Sequence, residues 1–162
     1  MGWMRQGRHS GGDLPRWSSE RSQRPRVLLE HRDPVVLEIL SDGLEDEGFE
    51  VLRCGGPRPE AGPARQCPLL RGEVCPGVDG ADVVVTSLLV EDAQQGRIVV
   101  SLNNLPAGPP VLLEATELQA RQRFGPGETP TLRYPFTDAA SLAAEIRGLL
   151  REREPEPEPV PG

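Results

Sequence analysis

The chain has 162 residues, room for one domain of ordinary size and not for two with separate cores. Gly and Pro contribute 18 residues each, well above average usage, and they gather in residues 1–25, 55–79 and 151–162, leaving residues 26–54 and 80–150 to build a core. All 18 basic residues are arginine, which excludes a Walker lysine, a Schiff base or a lysine general base, and the net charge of −7 argues against nucleic acid as the main partner.

Residues 1–25 hold Trp3 and Trp17 among Gly, Ser, Gln and Arg without helical or strand period, and read as a disordered, arginine-rich arm. The folded domain is expected over residues 26–150. Arg26 to Glu30, RVLLE, suits a buried strand, and Asp33-Pro34 follows as a helix start with the cap residue before proline. Val36, Ile39, Leu40 and Leu44 fall at helical spacing, with Glu38, Asp42, Glu45 and Asp46 turned to water, and Gly48 ends the helix. FEVLRC, Phe49 to Cys54, is a second strand, after which residues 55–79 lose all periodicity and read as an irregular insert with Cys67-Pro68 and Cys75-Pro76.

ADVVVT, Ala81 to Thr86, suits a strand covered on both faces. Ile98, Leu102 and Leu105 mark a helix, Pro110 to Leu113 a fourth strand, Thr116 to Phe124 a brief helix and Thr131 to Tyr134 a fifth strand. The last helix begins at a Thr137 or Asp138 cap and buries Leu142, Ile146, Leu149 and Leu150. Residues 151–162 alternate Glu and Pro and cannot continue it, so they read as an extended acidic tail of polyproline type. Strands alternating with helices define a doubly wound α/β sheet whose functional crevice lies at the carboxyl ends of the strands.

This order of segments resembles a response-regulator receiver domain of the CheY-like type. RPRVLLEHRDPVVLEILSDGLEDEGFEVL resembles the receiver opening, DVVVTSLLV the third strand with its phosphoacceptor, PPVLLEAT the fourth with its hydroxyl residue, and LRYPFTDAASLAAEIRGLL the fifth strand, the Lys-Pro step and the last helix. The resemblance implies a three-layer α/β/α flavodoxin-like fold, five parallel strands in order 2-1-3-4-5. It also implies a site in which three acids hold Mg²⁺ and accept phosphate while a hydroxyl and a lysine hold the phosphoryl group. Here the acidic pair aligns with His31 and Arg32, the acceptor with Ser87, the hydroxyl with Ala115 and the lysine with Tyr134, so every position is replaced. Asp33 serves better as the helix cap, Thr116 lies one position past the expected hydroxyl, and Glu30 points to the opposite side of the strand from His31. Mg²⁺ binding and aspartyl phosphorylation are therefore not expected.

The resemblance, with its phosphorylation residues replaced, implies a non-phosphorylatable receiver-like signalling domain in a bacterial phosphorelay-related system, acting through another protein. Its contact face, by family inference, is the last helix with strands four and five. Composition also suits a GC-rich bacterial genome. No catalytic constellation appears and no cofactor is required. No apolar run reaches the length of a membrane helix and no signal peptide opens the chain, so a cytoplasmic location without membrane contact is expected. No DNA-binding module is present, and a homodimer is compatible with the pattern. Two alternatives come from other classes. Cys54, Cys67 and Cys75, with His31, could form a zinc or iron–sulfur site or a redox pair, although no C-x-x-C is present. His31, Arg32, Ser87 and Tyr134 could instead hold a small anionic or aromatic ligand in the vestigial crevice.

Overall fold

The computed structural model describes residues 14–57, 66–87, 93–126, 130–133 and 138–154. Tyr134 and residues 155–162 of the expected tail fall outside them. Five strands, β1 (Arg26–Glu30), β2 (Glu50–Cys54), β3 (Val83–Ser87), β4 (Val111–Glu114) and β5 (Thr131–Arg133), form one parallel sheet in the order β2-β1-β3-β4-β5. The central strands are buried along nearly their whole length, as unbroken apolar runs in a doubly covered sheet require.

Helices α1 (Pro34–Asp46) and α5 (Ala139–Glu152) cover one face. Val27, Leu29, Val83, Val85 and Leu112 meet Leu37, Leu40, Leu44, Leu142 and Ile146 there. The opposite face carries α2 (Pro76–Asp79), α3 (Ala93–Asn103) and, beside β4, α4 (Glu117–Arg123). Alternation along β1 divides its side chains between the two layers, Val27 and Leu29 to the first and Leu28 to the second.

The buried face of α1 is rotated from the expected one: Leu37, Leu40, Ser41 and Leu44 are buried, whereas Ile39 is 64% exposed. The cause is a contact across helices. A Cβ at Gly43 would lie 2.3 Å from the Cβ of Ala139, so α5 closes on α1 at its smallest residue and fixes which stripe faces inward. Arg147 of α5 then donates to the Glu47 carbonyl (2.6 Å), satisfying an end of α1, and lies over the Phe49 ring at 5.2 Å.

The expected irregular insert contains two ordered turns, a 3-10 turn at Pro68–Arg71 and the single turn of α2. Each begins at the proline of a Cys-Pro step, with Cys67 and Cys75 in the cap positions, because proline is preset for the first helical residue. Both are too short to leave a periodic signal.

The segment from residue 14 to 25, expected to belong to a disordered arm, packs on the domain. Trp17 joins the second apolar layer, donates its Nε1 proton to the Gly77 carbonyl (2.7 Å) and lies under the Arg26 guanidinium at 5.0 Å. Only glycine fits at position 80, since a Cβ there would come within 2.4 Å of the indole. Arg26 also reaches Ser18 O (3.1 Å), Glu20 O (3.2 Å) and the Glu50 carboxylate (3.2 Å).

Candidate functional site

Strand register sorts the residues at the carboxyl edge into two rows. Ser87 pairs with Glu114 and Glu114 with Arg133, and His31, one residue past β1, falls on this α1/α5 side. On the other side Glu30 pairs with Cys54 and with Thr86.

In the first row His31 is half-buried, and its Nδ1 accepts the Asp33 amide proton at 3.0 Å. A neutral imidazole in this contact carries its proton on Nε2. Ser87 is half-buried, and among the described residues no base accepts a hydrogen bond from its hydroxyl. Arg133 is 4% exposed and its Nε lies 3.1 Å from a carboxylate oxygen of Glu145. Glu114 is held above the ordinary carboxyl range by burial, against the opposing pull of Arg133 and then His31.

Asp33 and Thr116 are committed locally. The Asp33 carboxylate accepts the amides of Val35 (2.9 Å) and Val36 (3.3 Å), capping α1. Thr116 caps α4 in a reciprocal box with Gln119 (3.2 and 2.8 Å), so it does not replace the missing hydroxyl. Ala115 is buried and contributes only its methyl group, and Arg32 is exposed.

The second row contains a buried carboxyl, Glu30. Glu30 is buried with Thr86 and Gln95, and its Oε2 accepts from the Thr86 hydroxyl and from Gln95 Nε2 (2.6 Å). Gln95 Nε2 also reaches Thr86 Oγ1 at 2.9 Å. Burial raises the Glu30 pKa despite the pull of Thr86, Gln95, Arg32 and the Ser87 backbone. Glu30 lies on the opposite side of the strand from His31, as expected, whereas its network with Thr86 and Gln95 joins residues far apart in the sequence. An ionisable residue ending an apolar strand was its only local signal.

Cys54, Cys67 and Cys75 do come together, in the apolar layer with Leu28, Leu52 and Leu69, as free thiols. Burial pushes Cys54 up to about 12, with the Glu30 charge adding to it, and raises Cys67 as well. Both are therefore protonated near neutrality, the form that is poor as nucleophile and ligand. His31 lies in the other row, so the expected three-cysteine, one-histidine set is not assembled. Among the described residues no group of three or more His, Cys, Asp or Glu side chains could hold a metal ion. Two grooves, of about 370 and 200 Å³, lie along α3, and none of the described crevice residues lines them.

This is the CheY-like fold, and solved receiver domains superpose on it. The receiver domain of a Francisella response regulator matches at a TM-score of 0.58 and 11% identity, covering 81% of this chain and 100% of its own. The signal receiver domain of a histidine kinase from Syntrophus aciditrophicus gives 0.59 and 13%, covering 84% and 97%. A CheY-like receiver domain protein from Methanospirillum hungatei gives 0.58 and 14%, covering 80% and 96%. No protein-family model and no curated protein matches the sequence. No helix among the described residues is long and apolar enough to cross a membrane.

Proposed function

We propose that this chain is a receiver-like signalling module that acts in the cytoplasm by binding another protein, without phosphorylation and without catalysis. The carrying observation is the first row at the carboxyl edge. Where a receiver gathers acids for Mg²⁺, this chain has His31 and Arg32. Of the nearby acids, Asp33 is engaged as a helix cap, Glu30 is buried on the other face and Glu114 lies beside Arg133. An arginine at such a site repels a divalent ion, and an imidazole is a poor substitute for the hard carboxylate oxygens that Mg²⁺ requires.

The outward side of α1 supports binding to a protein. Val35 and Ile39 are 62% and 64% exposed, with Glu38 and Asp42 exposed beside them, which suits a partner surface that is apolar at its centre and basic at its rim. The thiol-sensor alternative draws on the shared cluster of three cysteines, but the raised thiol pKa values weigh against it.

The test is incubation of the full chain with acetyl phosphate and Mg²⁺, followed by intact-mass measurement. The expected result is an unchanged mass. A phosphoryl adduct at Ser87 would overturn the proposal.

A further inference from the structure

Gly56 follows β2 with a φ of +77° and has no side chain to hold its neighbours apart. A Cβ there would lie 2.9 Å from Glu30 Oε1 and 3.8 Å from Arg32 Cγ. The carboxyl that ends β1 and the stem of an exposed arginine just after it therefore meet the same glycine.

The two oxygens of Glu30 are used unequally. Oε2 accepts from the Thr86 hydroxyl and from Gln95 Nε2 at 2.6 Å, whereas Oε1 is buried and has no hydrogen-bond partner among the described residues. Two donors on one oxygen suit the carbonyl oxygen of a neutral acid, with the proton on the other. A carboxylate in the same place would leave charge on a buried oxygen that nothing pairs, which is costly.

The groups facing Glu30 leave one source of compensation. β3 and α3 offer neutral groups, the Thr86 hydroxyl, the Ser87 backbone and the Gln95 amide. β2 and the turn at Pro68 offer the thiols of Cys54 and Cys67, whose ionisation the Glu30 charge opposes. The link between β1 and α1 offers the Arg32 guanidinium, the one group of this set that carries positive charge. Burial holds the Glu30 carboxyl above its ordinary 4.5, so the neutral form persists to higher pH than on an exposed glutamate.

We propose that Glu30 and Arg32 form a pH-operated latch across Gly56. With Glu30 protonated, Arg32 stays exposed. With Glu30 ionised, the guanidinium folds over Gly56 and donates to Oε1, which draws the link before α1 towards the chain that follows β2. The absence of a side chain at position 56 is what lets the two groups meet. Closing the latch withdraws one positive charge from the surface beside the first turn of α1, whatever that helix binds.

The test is NMR titration of the full chain from about pH 4.5 to about pH 9, a range above the ordinary glutamate pKa, following the Glu30 side-chain carboxyl carbon, Arg32 Nε and the Gly56 amide. The three signals should shift with one common midpoint, while circular dichroism stays that of the folded protein. In full-length E30Q, which keeps an acceptor for Thr86 and Gln95, the Arg32 and Gly56 steps should be lost. In R32Q, a change at an exposed position, the Glu30 midpoint should rise by roughly one pH unit, the shift expected on losing a nearby opposite charge. Arg32 and Gly56 steps that persist in E30Q would assign the transition to another group, such as His31, and overturn the proposal. So would a Glu30 midpoint unmoved in R32Q, a Glu30 carboxyl that does not titrate in this range, or loss of the folded dichroism at its midpoint.

Discussion

Glu30 is a carboxyl group in an apolar layer, and its energetics follow from the groups that face it. Thr86 and Gln95 each offer a proton to Oε2, Arg32 contributes a distant positive charge, and Cys54 lies beside it in register. Desolvation outweighs these, so the folded pKa lies above the ordinary 4.5. The sign follows directly. A raised folded pKa stabilises the fold fully below the unfolded value, and this contribution is lost as pH rises from about 4.5 through the folded pKa. Glu30→Gln keeps an acceptor for Thr86 and Gln95 but cannot ionise. In urea unfolding across pH 4 to 8, the variant should gain on the native chain steadily as pH rises and level off above the folded pKa. A variant that instead loses ground towards pH 8 would mean that Glu30 is ionised and held as an anion by its two donors.

At the scale of elements, the junction of α1 and α5 depends on the absence of a side chain at Gly43. Alanine there should add about 1 kcal/mol of helix propensity, but its Cβ would lie 2.3 Å from that of Ala139. Overpacking of this kind costs about 1–3 kcal/mol, so Gly43→Ala should be destabilising overall, and the double variant with Ala139→Gly should recover most of the loss. Equal stability of single and double variants in denaturant unfolding would contradict the packing account. The same junction shows which parts of the fold were legible in the sequence. β1 and β3 were readable because strands buried on both faces are continuous apolar runs, and α5 because its Asp138 cap and its Leu142 and Ile146 stripe are local signals. The rotation of α1 was not, because it is decided by Ala139, nearly a hundred residues away in sequence. The turns at Pro68 and Pro76 were too short for any period. At the site, replacement of the receiver residues was readable position by position. The Glu30 network was hidden because its partners Thr86 and Gln95 lie 56 and 65 residues along the chain.

Over the whole molecule, charge and burial are both unevenly distributed. The outer side of α1 carries Glu38, Asp42, Glu45 and Asp46 with no basic residue in the helix, while the α3/α4 side carries arginine, so the two sides of the sheet offer different surfaces to partners. The amino ends of the strands are closed by residues 14–25. Asp82 accepts the Arg26 amide (2.8 Å) and pairs with Arg21, while Trp17 closes over Gly77 and Gly80. If this strap belongs to the cooperative unit, losing its indole should cost what a large side chain costs in a core, roughly 2–4 kcal/mol for a partly buried tryptophan. In Trp3→Phe protein, where Trp17 is the sole tryptophan, its fluorescence should change at the same denaturant midpoint as far-ultraviolet circular dichroism. The further change Trp17→Ala should move that dichroism midpoint to lower denaturant. A Trp17 emission already characteristic of water in the native protein, with an unmoved midpoint for Trp17→Ala, would show that the domain holds together without the strap.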